Sequence, residues 1–136
     1  MRKFAVGFLF RKEGREVCLI HKNRPDWQKG RINGVGGQIE PGETPLAAMI
    51  REFQEEAGVS LEWRQFCMLK GSEYELYCFT TSDNNAAVKT MTDEKVGWYP
   101  VGRLPENIVA NLTWLIPMAN YKLPINAVVE HESPVC

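Results

Sequence analysis

Glu52, Glu55 and Glu56 stand at i, i+3 and i+4, the spacing that brings side chains together on one surface of an α-helix. Carboxylates placed that closely repel one another unless positive charge lies among them. Arg51, one residue earlier, can neutralise only part of that charge. A hard divalent cation such as Mg2+ can neutralise more, because it takes oxygen ligands and often binds through one or two carboxylates together with substrate phosphates. The plainer reading of the same residues is a solvated acidic helix face, which is common. At this point both readings stand.

The flanking pattern predicts the element that carries them. Leu46, Met49, Ile50, Phe53 and Ala57 follow the i, i+3, i+4, i+7, i+11 spacing of one helical face, so a helix is expected from Thr44 to Ala57. Thr44 can cap its start, Pro45 suits the first turn, and Gly58 can end it in a left-handed conformation. The acidic surface lies to the side of the apolar stripe, which is free to face a core. Upstream, Phe4 to Phe10 and Val17 to His21 read as strands joined by the polar turn Lys12-Glu13-Gly14-Arg15-Glu16, a hairpin. A long loop rich in Gly, Asn and Pro is expected from Asn23 to Glu43, and loops of that length are usually functional.

Downstream, Trp63 to Leu69 and Tyr74 to Thr80 read as strands, and Asp83-Asn84-Asn85 as a turn. A short strand from Val96 to Val101 and a second helix from about Glu106 to Asn120 follow, with Ile108, Leu112, Leu115 and Ile116 on one side. Strands flank helices without regular βαβ alternation. That order predicts an α/β fold with a mixed sheet and helices packed on it.

Composition bounds the function classes. The 136 residues, 44% hydrophobic and 24% charged, fit one domain over 1–136 with a loose tail over 130–136. A net charge of -1 excludes a binder of nucleic acid polymers working through overall positive charge. No apolar run approaches the ~20 residues of a membrane-spanning helix, and no membrane partner is expected. The basic start Met1-Arg2-Lys3 is followed by too short an apolar stretch, without a cleavage-like site, for a signal peptide. Cys18, Cys67, Cys78 and Cys136 lie far apart with no C-x-x-C pair, so zinc is not expected. They read as small buried hydrophobes of a reduced, cytoplasmic protein.

The wider context of the glutamates carries a resemblance. Gly36-Gly37 and Pro41-Gly42-Glu43 precede the helix, and Arg51-Glu52-Phe53-Gln54-Glu55-Glu56-Ala57-Gly58-Val59 closes it. From Gly37 to Val59 this resembles a complete box of the Nudix hydrolase family. Softer points of likeness are the Ala5-Val6-Gly7 strand, and Trp98 with Leu104-Pro105. The resemblance implies an α/β/α sandwich with a central mixed sheet and a catalytic loop–helix–loop. It implies Mg2+, with Mn2+ as a substitute, and hydrolysis of a nucleoside diphosphate linked to another group. Glu55 and Glu56 are then metal ligands, Glu52 a further ligand or the general base, and Arg51 the residue that orients a catalytic glutamate. The Gly37 carbonyl can coordinate metal, Gly42 serves the turn, and Glu43 braces the loop. Glu94, beside Asp93, is a candidate ligand outside the box, with a solvated turn carboxylate as the alternative.

Substrate recognition is expected just before the box. Lys22, Arg24, Lys29 and Arg31 supply positive charge, and Lys22 or Arg24 is the preferred phosphate contact. Trp27 through Gly37 is similar to MutT-like members that sanitise nucleoside triphosphates, including oxidised purines such as 8-oxo-dGTP. There Asn33 matches a base-contacting asparagine, although a loop-capping role suits its type as well. The paired aspartates of the closest pattern are missing before Trp114, and Asn111 is a candidate to take over base reading. Trp114 itself is read as core. Tyr77 points weakly to a dinucleoside polyphosphate substrate, and Glu75 replaces the proline of ADP-ribose-type members. The leading expectation is a triphosphate split to monophosphate and pyrophosphate, with a nucleotide as partner and a homodimer left open. A non-catalytic nucleotide-sensing module is the alternative of another class; such modules have eroded boxes, whereas Arg51, Glu52, Glu55 and Glu56 are all present here.

Overall fold

Residues 4–10 alternate between two apolar faces, so the strand that carries them must be covered on both sides. The computed structural model describes residues 1–131. Its elements run β1 (Arg2–Arg11), β2 (Glu16–His21), β3 (Ile32–Asn33), β4 (Val35–Gln38), α1 (Pro45–Ala57), β5 (Arg64–Lys70), β6 (Tyr74–Ser82), β7 (Val96–Pro100), α2 (Leu112–Ala119) and β8 (Ala127–Glu130). The strands form one sheet in the order β3-β2-β1-β6-β5-β8, with β4 on β1 and β7 on β2. β1 is parallel to β6 and β5 to β8, while β1 is antiparallel to β2 and β4, so the sheet is mixed. Val6, Phe8 and Phe10 meet Leu112, Leu115 and Ile116 of α2 on one face. Ala5 and Leu9 share the other face with Ala48, Met49, Phe53 and Ala57 of α1. The result is the expected α/β/α sandwich.

α1 is held as its caps predict. Thr44 Oγ1 accepts from the Ala47 N–H at 3.1 Å, which satisfies one orphan donor of the first turn. Gly58 takes φ 79°, and its N–H donates to the Gln54 carbonyl. Two further carbonyls, of Glu56 and Ala57, accept from the Met91 and Lys89 N–H groups at 3.3 and 3.0 Å. The segment leading to Glu94 is thereby tied to the end of the glutamate-bearing helix. Phe53 is fully buried with its ring 5.1 Å from that of Trp63, a burial that contributes roughly 1.5–3 kcal/mol.

Several expectations change. The stretch 23–43 is not one loop: β3 pairs with β2, and β4 pairs with β1 from Phe4↔Gln38 to Gly7↔Val35. Within β3 and β4 only Ile32 and Val35 are strand-like by type, and long-range pairing with β1 and β2 overrides the glycine content. The second helix is shorter than expected. The Ile32 N–H donates to the Asn107 carbonyl and the Val109 N–H to the Ile32 carbonyl, so residues 107–109 bond to a strand and cannot join a helix. Leu46, read as part of the buried stripe, is exposed in the first turn, and Ala48 is buried instead. Strand β8 was not anticipated; it lies along β5 from Cys67↔Ala127 to Lys70↔Glu130. Glu130 thus ends a strand and His131 packs beside Trp114; the rest of the expected tail lies outside the described residues. Trp114 is half-buried against the core. Cys18, Cys67 and Cys78 are buried, and Cys136 lies outside the described residues. No helix among the described residues is long and apolar enough to cross a membrane.

Candidate functional site

A cleft of about 900 Å³ runs from the start of β1 to the acidic side of α1. Phe4, Val6 and Leu76 give it an apolar floor, while Gly36, Gly37 and Gln38 of β4 lead to Glu52, Glu55 and Glu56. The opposing rim carries Lys22, Arg24, Trp27 and Gln28, with Asn33 and Glu94 between. Most residues singled out from the sequence therefore meet in one place. Arg51 stands behind the glutamates and does not line the cleft, and neither do Tyr77, Asn111, Lys29 and Arg31. The Tyr77 hydroxyl donates to Glu75 at 2.8 Å. Asn111 is buried at the start of α2 and makes no side-chain cap.

Arg51 organises the acidic wall. Its Nε and one terminal nitrogen donate to both oxygens of Glu43 at 2.7 and 2.9 Å, a two-pronged contact suited to guanidinium geometry. The other terminal nitrogen reaches Glu52 at 2.9 Å and Glu55 at 3.3 Å. One cation thus partly neutralises two carboxylates and ties them to the loop before the helix. Pairing with Glu43, then Glu52, raises the Arg51 pKa further above its usual value. The Arg51 hydrogen bonds, helped by the Glu40 N–H, lower that of Glu43 to about 2.

That depression has a consequence for stability. Glu43 loses its proton near 4.5 when unpaired, so its contribution is present above that pH and fades as pH falls towards about 2. Glu43→Gln is expected to melt below wild type near pH 7 and to converge with it by about pH 2. Thermal melts across that range check this, and a gap independent of pH would refute the assignment.

Glu56 lies deeper. Its Oε2 is sealed from solvent and, among the described residues, has no hydrogen-bond partner. Burial pushes its pKa well above the usual carboxylate range; the Lys22 charge opposes the rise, and Glu52 and Glu94 add to it. A buried oxygen left unpaired in this way is costly, and a hard cation is a ligand that would repay it. Glu52, Glu55, Glu56 and the Gly37 carbonyl are all oxygen donors of the kind Mg2+ takes. Among the described residues no group of three or more His, Cys, Asp or Glu side chains is placed to hold a metal ion by itself. That suits Mg2+, which usually keeps waters and shares its shell with substrate phosphates. The residues present fit such an ion.

Glu94 is buried and fully engaged. Its Oε1 accepts from Lys22 Nζ at 3.0 Å, and its Oε2 from the Asn23 N–H at 2.7 Å and the Arg24 N–H at 3.3 Å. Burial raises its pKa, but these hydrogen bonds and the Lys22 charge outweigh that, and the net shift is downward. Arg24 forms a paired contact with Asp93 at 3.1 and 2.6 Å. Both preferred phosphate contacts are therefore held by acids on the segment before β7. Trp27 is exposed at the cleft mouth. Asn33 is buried; it donates from Nδ2 to Gln28 Oε1 at 2.9 Å and accepts the Gly34 N–H on Oδ1 at 2.7 Å. Sequence reasoning passed over Gln28, Phe4 and Leu76. Gln28 sits in a turn whose types carry no signal, and the other two read as ordinary strand residues.

A NUDIX domain family model matches residues 1–116. The chain is 34% identical over 73 residues to the 8-oxo-dGTP diphosphatase of Escherichia coli, covering 54% of this chain and 54% of that protein. It is 30% identical over 115 residues to the 8-oxo-dGDP phosphatase NUDT18 of Mus musculus, covering 79% of this chain and 35% of that protein. The chain therefore spans about half of the first relative's length and about a third of the second's. Its fold matches the MutT NUDIX hydrolase of Burkholderia pseudomallei with a TM-score of 0.75 at 18% identity, over 86% of this chain and 96% of that one.

Proposed function

This chain belongs to the NUDIX domain family, and from that premise we propose that it is a magnesium-dependent pyrophosphohydrolase. Its substrate is a nucleoside triphosphate, an oxidised purine such as 8-oxo-dGTP included, and its products are the monophosphate and pyrophosphate. One observation carries the reading: a single cleft joins an oxygen-donor wall of Glu52, Glu55, Glu56 and Gly37 to a rim of Trp27, Gln28 and Asn33 suited to a base. The names of the two relatives, one for a triphosphate and one for a diphosphate, make both chain lengths worth testing.

The roles follow from position. Glu56, Glu52 and the Gly37 carbonyl would hold the ion. Glu55, with its side chain 57% exposed, is the carboxylate freest to meet a water or a phosphate. Arg51 orients Glu52 and Glu55 and touches no substrate. When bound, Mg2+ neutralises charge developing on the phosphoryl oxygens and acidifies the attacking water. Lys22 and Arg24 reach phosphate oxygens by exchanging their present carboxylate partners for the ligand. Trp27 covers a face of the base, and Asn33 reads its edge. Tyr77, the basis of the dinucleotide alternative, does not line the cleft. The buried thiols suit a reducing compartment, the cytoplasm.

The test is a hydrolysis panel with Mg2+ or Mn2+ and product identification. It holds common and oxidised nucleoside di- and triphosphates, ADP-ribose and a dinucleoside tetraphosphate. Monophosphate and pyrophosphate from a triphosphate are expected, and Glu55→Gln should lower kcat by roughly two orders of magnitude or more at unchanged Tm. Nucleotide binding without metal-dependent turnover would replace the reading with that of a sensing module.

A further inference from the structure

Gln28 is buried to 8% exposure although it sits in a polar turn at the cleft rim. The turn is held by backbone bonds: the Gln28 N–H donates to the Pro25 carbonyl at 2.9 Å, and the Gln28 carbonyl accepts the Arg31 N–H at 2.8 Å. Its side chain is oriented by a chain of hydrogen bonds that begins at the main chain. The Gly34 N–H can only donate, so the Asn33 atom that meets it is the oxygen. The other end of the Asn33 amide is then its nitrogen, and it donates to Gln28. Gln28 must therefore offer Oε1 to Asn33, which leaves Nε2 as the free end of its amide. Among the described residues Nε2 has no hydrogen-bond partner, and the residue lines the cleft.

We infer that Gln28 is a specificity-determining residue whose Nε2 donates to an oxo group of the substrate base, so that the cleft favours oxo bases over amino bases. Beside it, Asn33 Nδ2 keeps a second hydrogen. This stretch of wall presents donors with their polarity set by a backbone group, so an amide flip cannot reverse it without breaking both bonds. An oxo oxygen satisfies the donors. An amino group set against them leaves buried polar groups on both sides unpaired, and that asymmetry discriminates more strongly than a missing apolar contact does. Gln28 and Asn33 are also fixed before the ligand arrives, which lowers the ordering cost of binding.

The inference rests on the proposed reading of the cleft as a nucleotide site, and its test separates the two. Inosine and adenosine triphosphates differ in carrying an oxo or an amino group at position 6, as uridine and cytidine triphosphates do at position 4. Wild type is expected to favour the oxo member of each pair by about tenfold or more in kcat/KM. Gln28→Met, which keeps the volume and removes the amide, should bring both ratios close to unity, chiefly through KM. Gln28→Glu keeps an acceptor for Asn33 but replaces the donors, and should favour the amino member. Calorimetric binding of inosine and adenosine monophosphates to the same proteins gives the ratio without turnover. Equal treatment of oxo and amino members by wild type, or an unchanged ratio in Gln28→Met, would overturn the inference. Absence of turnover on every nucleotide would count against the proposed activity alone, and the monophosphate binding ratios would still decide the role of Gln28.

Discussion

Glu56→Gln is expected to make the metal-free protein more stable while removing most of its activity. The wild-type carboxylate has a buried, unpartnered Oε2, and burial together with Glu52 and Glu94 raises its pKa despite the opposing Lys22 charge. Burial raises the folded pKa to about 8, so at neutral pH the group must take up a proton to fold, and that uptake costs more stability as pH climbs above its ordinary value. Glutamine keeps the shape and removes the charge. A rise in Tm of several degrees is expected, since about 1 kcal/mol moves a domain of this size by roughly 4 °C. The same change withdraws an anionic ligand, and kcat should fall by about 10²-fold or more. Added Mg2+ should raise the wild-type Tm and leave that of the variant nearly unmoved, because only a folded state that binds the ion gains from it. Calorimetric melts with and without Mg2+, beside steady-state rates, measure all of this. Undiminished kcat, or an equal Mg2+ shift in both proteins, would place the ion elsewhere.

Gly36→Ala and Gly37→Ala, one residue apart, are expected to fail in different ways. A Cβ on Gly36 would fall on the Ala5 carbonyl oxygen and lie 2.8 Å from Val6 Cα. Those are backbone atoms of the central strand, and they yield only if β4 leaves β1. Gly36→Ala should cost roughly 1–3 kcal/mol or more of stability, and activity should fall with the folded fraction. A Cβ on Gly37 meets instead the Glu52 carboxylate, with Cδ and Oε1 at 2.6 Å. The end of a flexible side chain can swing away, so the fold should survive. The displaced carboxylate leaves its 2.9 Å bond to Arg51, and an ångström of misplacement at a reacting centre costs on the order of 10²-fold in rate. Tm and kcat measured for both variants should separate cleanly. Loss of the same property in both would show that Gly37 spaces the strands and not the site.

Periodicity was a good guide wherever local pattern and burial agreed. The stripe through Met49, Phe53 and Ala57 and the caps at Thr44 and Gly58 made α1 legible nearly to the residue. The same helix put Glu52, Glu55 and Glu56 on one wall, as i, i+3, i+4 spacing requires. Pattern failed where a distant segment supplied the hydrogen bonds. Gly36-Gly37 has no strand propensity and becomes β4 because β1 offers its edge. Residues 107–109 look helical and are taken up by Ile32.

Spacing, charge and residue type therefore determined the helix, its acidic surface and the chemistry of its donors, because those depend on neighbours within a turn or two. Tertiary structure alone decided which charges are free. It joined Arg51 to Glu43 across the loop, paired Lys22 with Glu94 and Arg24 with Asp93, left Tyr77 and Asn111 out of the cleft, and buried Gln28 against Asn33. Each of these depends on how the fold sets the loops between its elements, and Lys22 and Arg24 take their partners from a segment far along the chain. The Lys22–Glu94 and Arg24–Asp93 pairs arise only when the sheet closes, so no local window of sequence contains them.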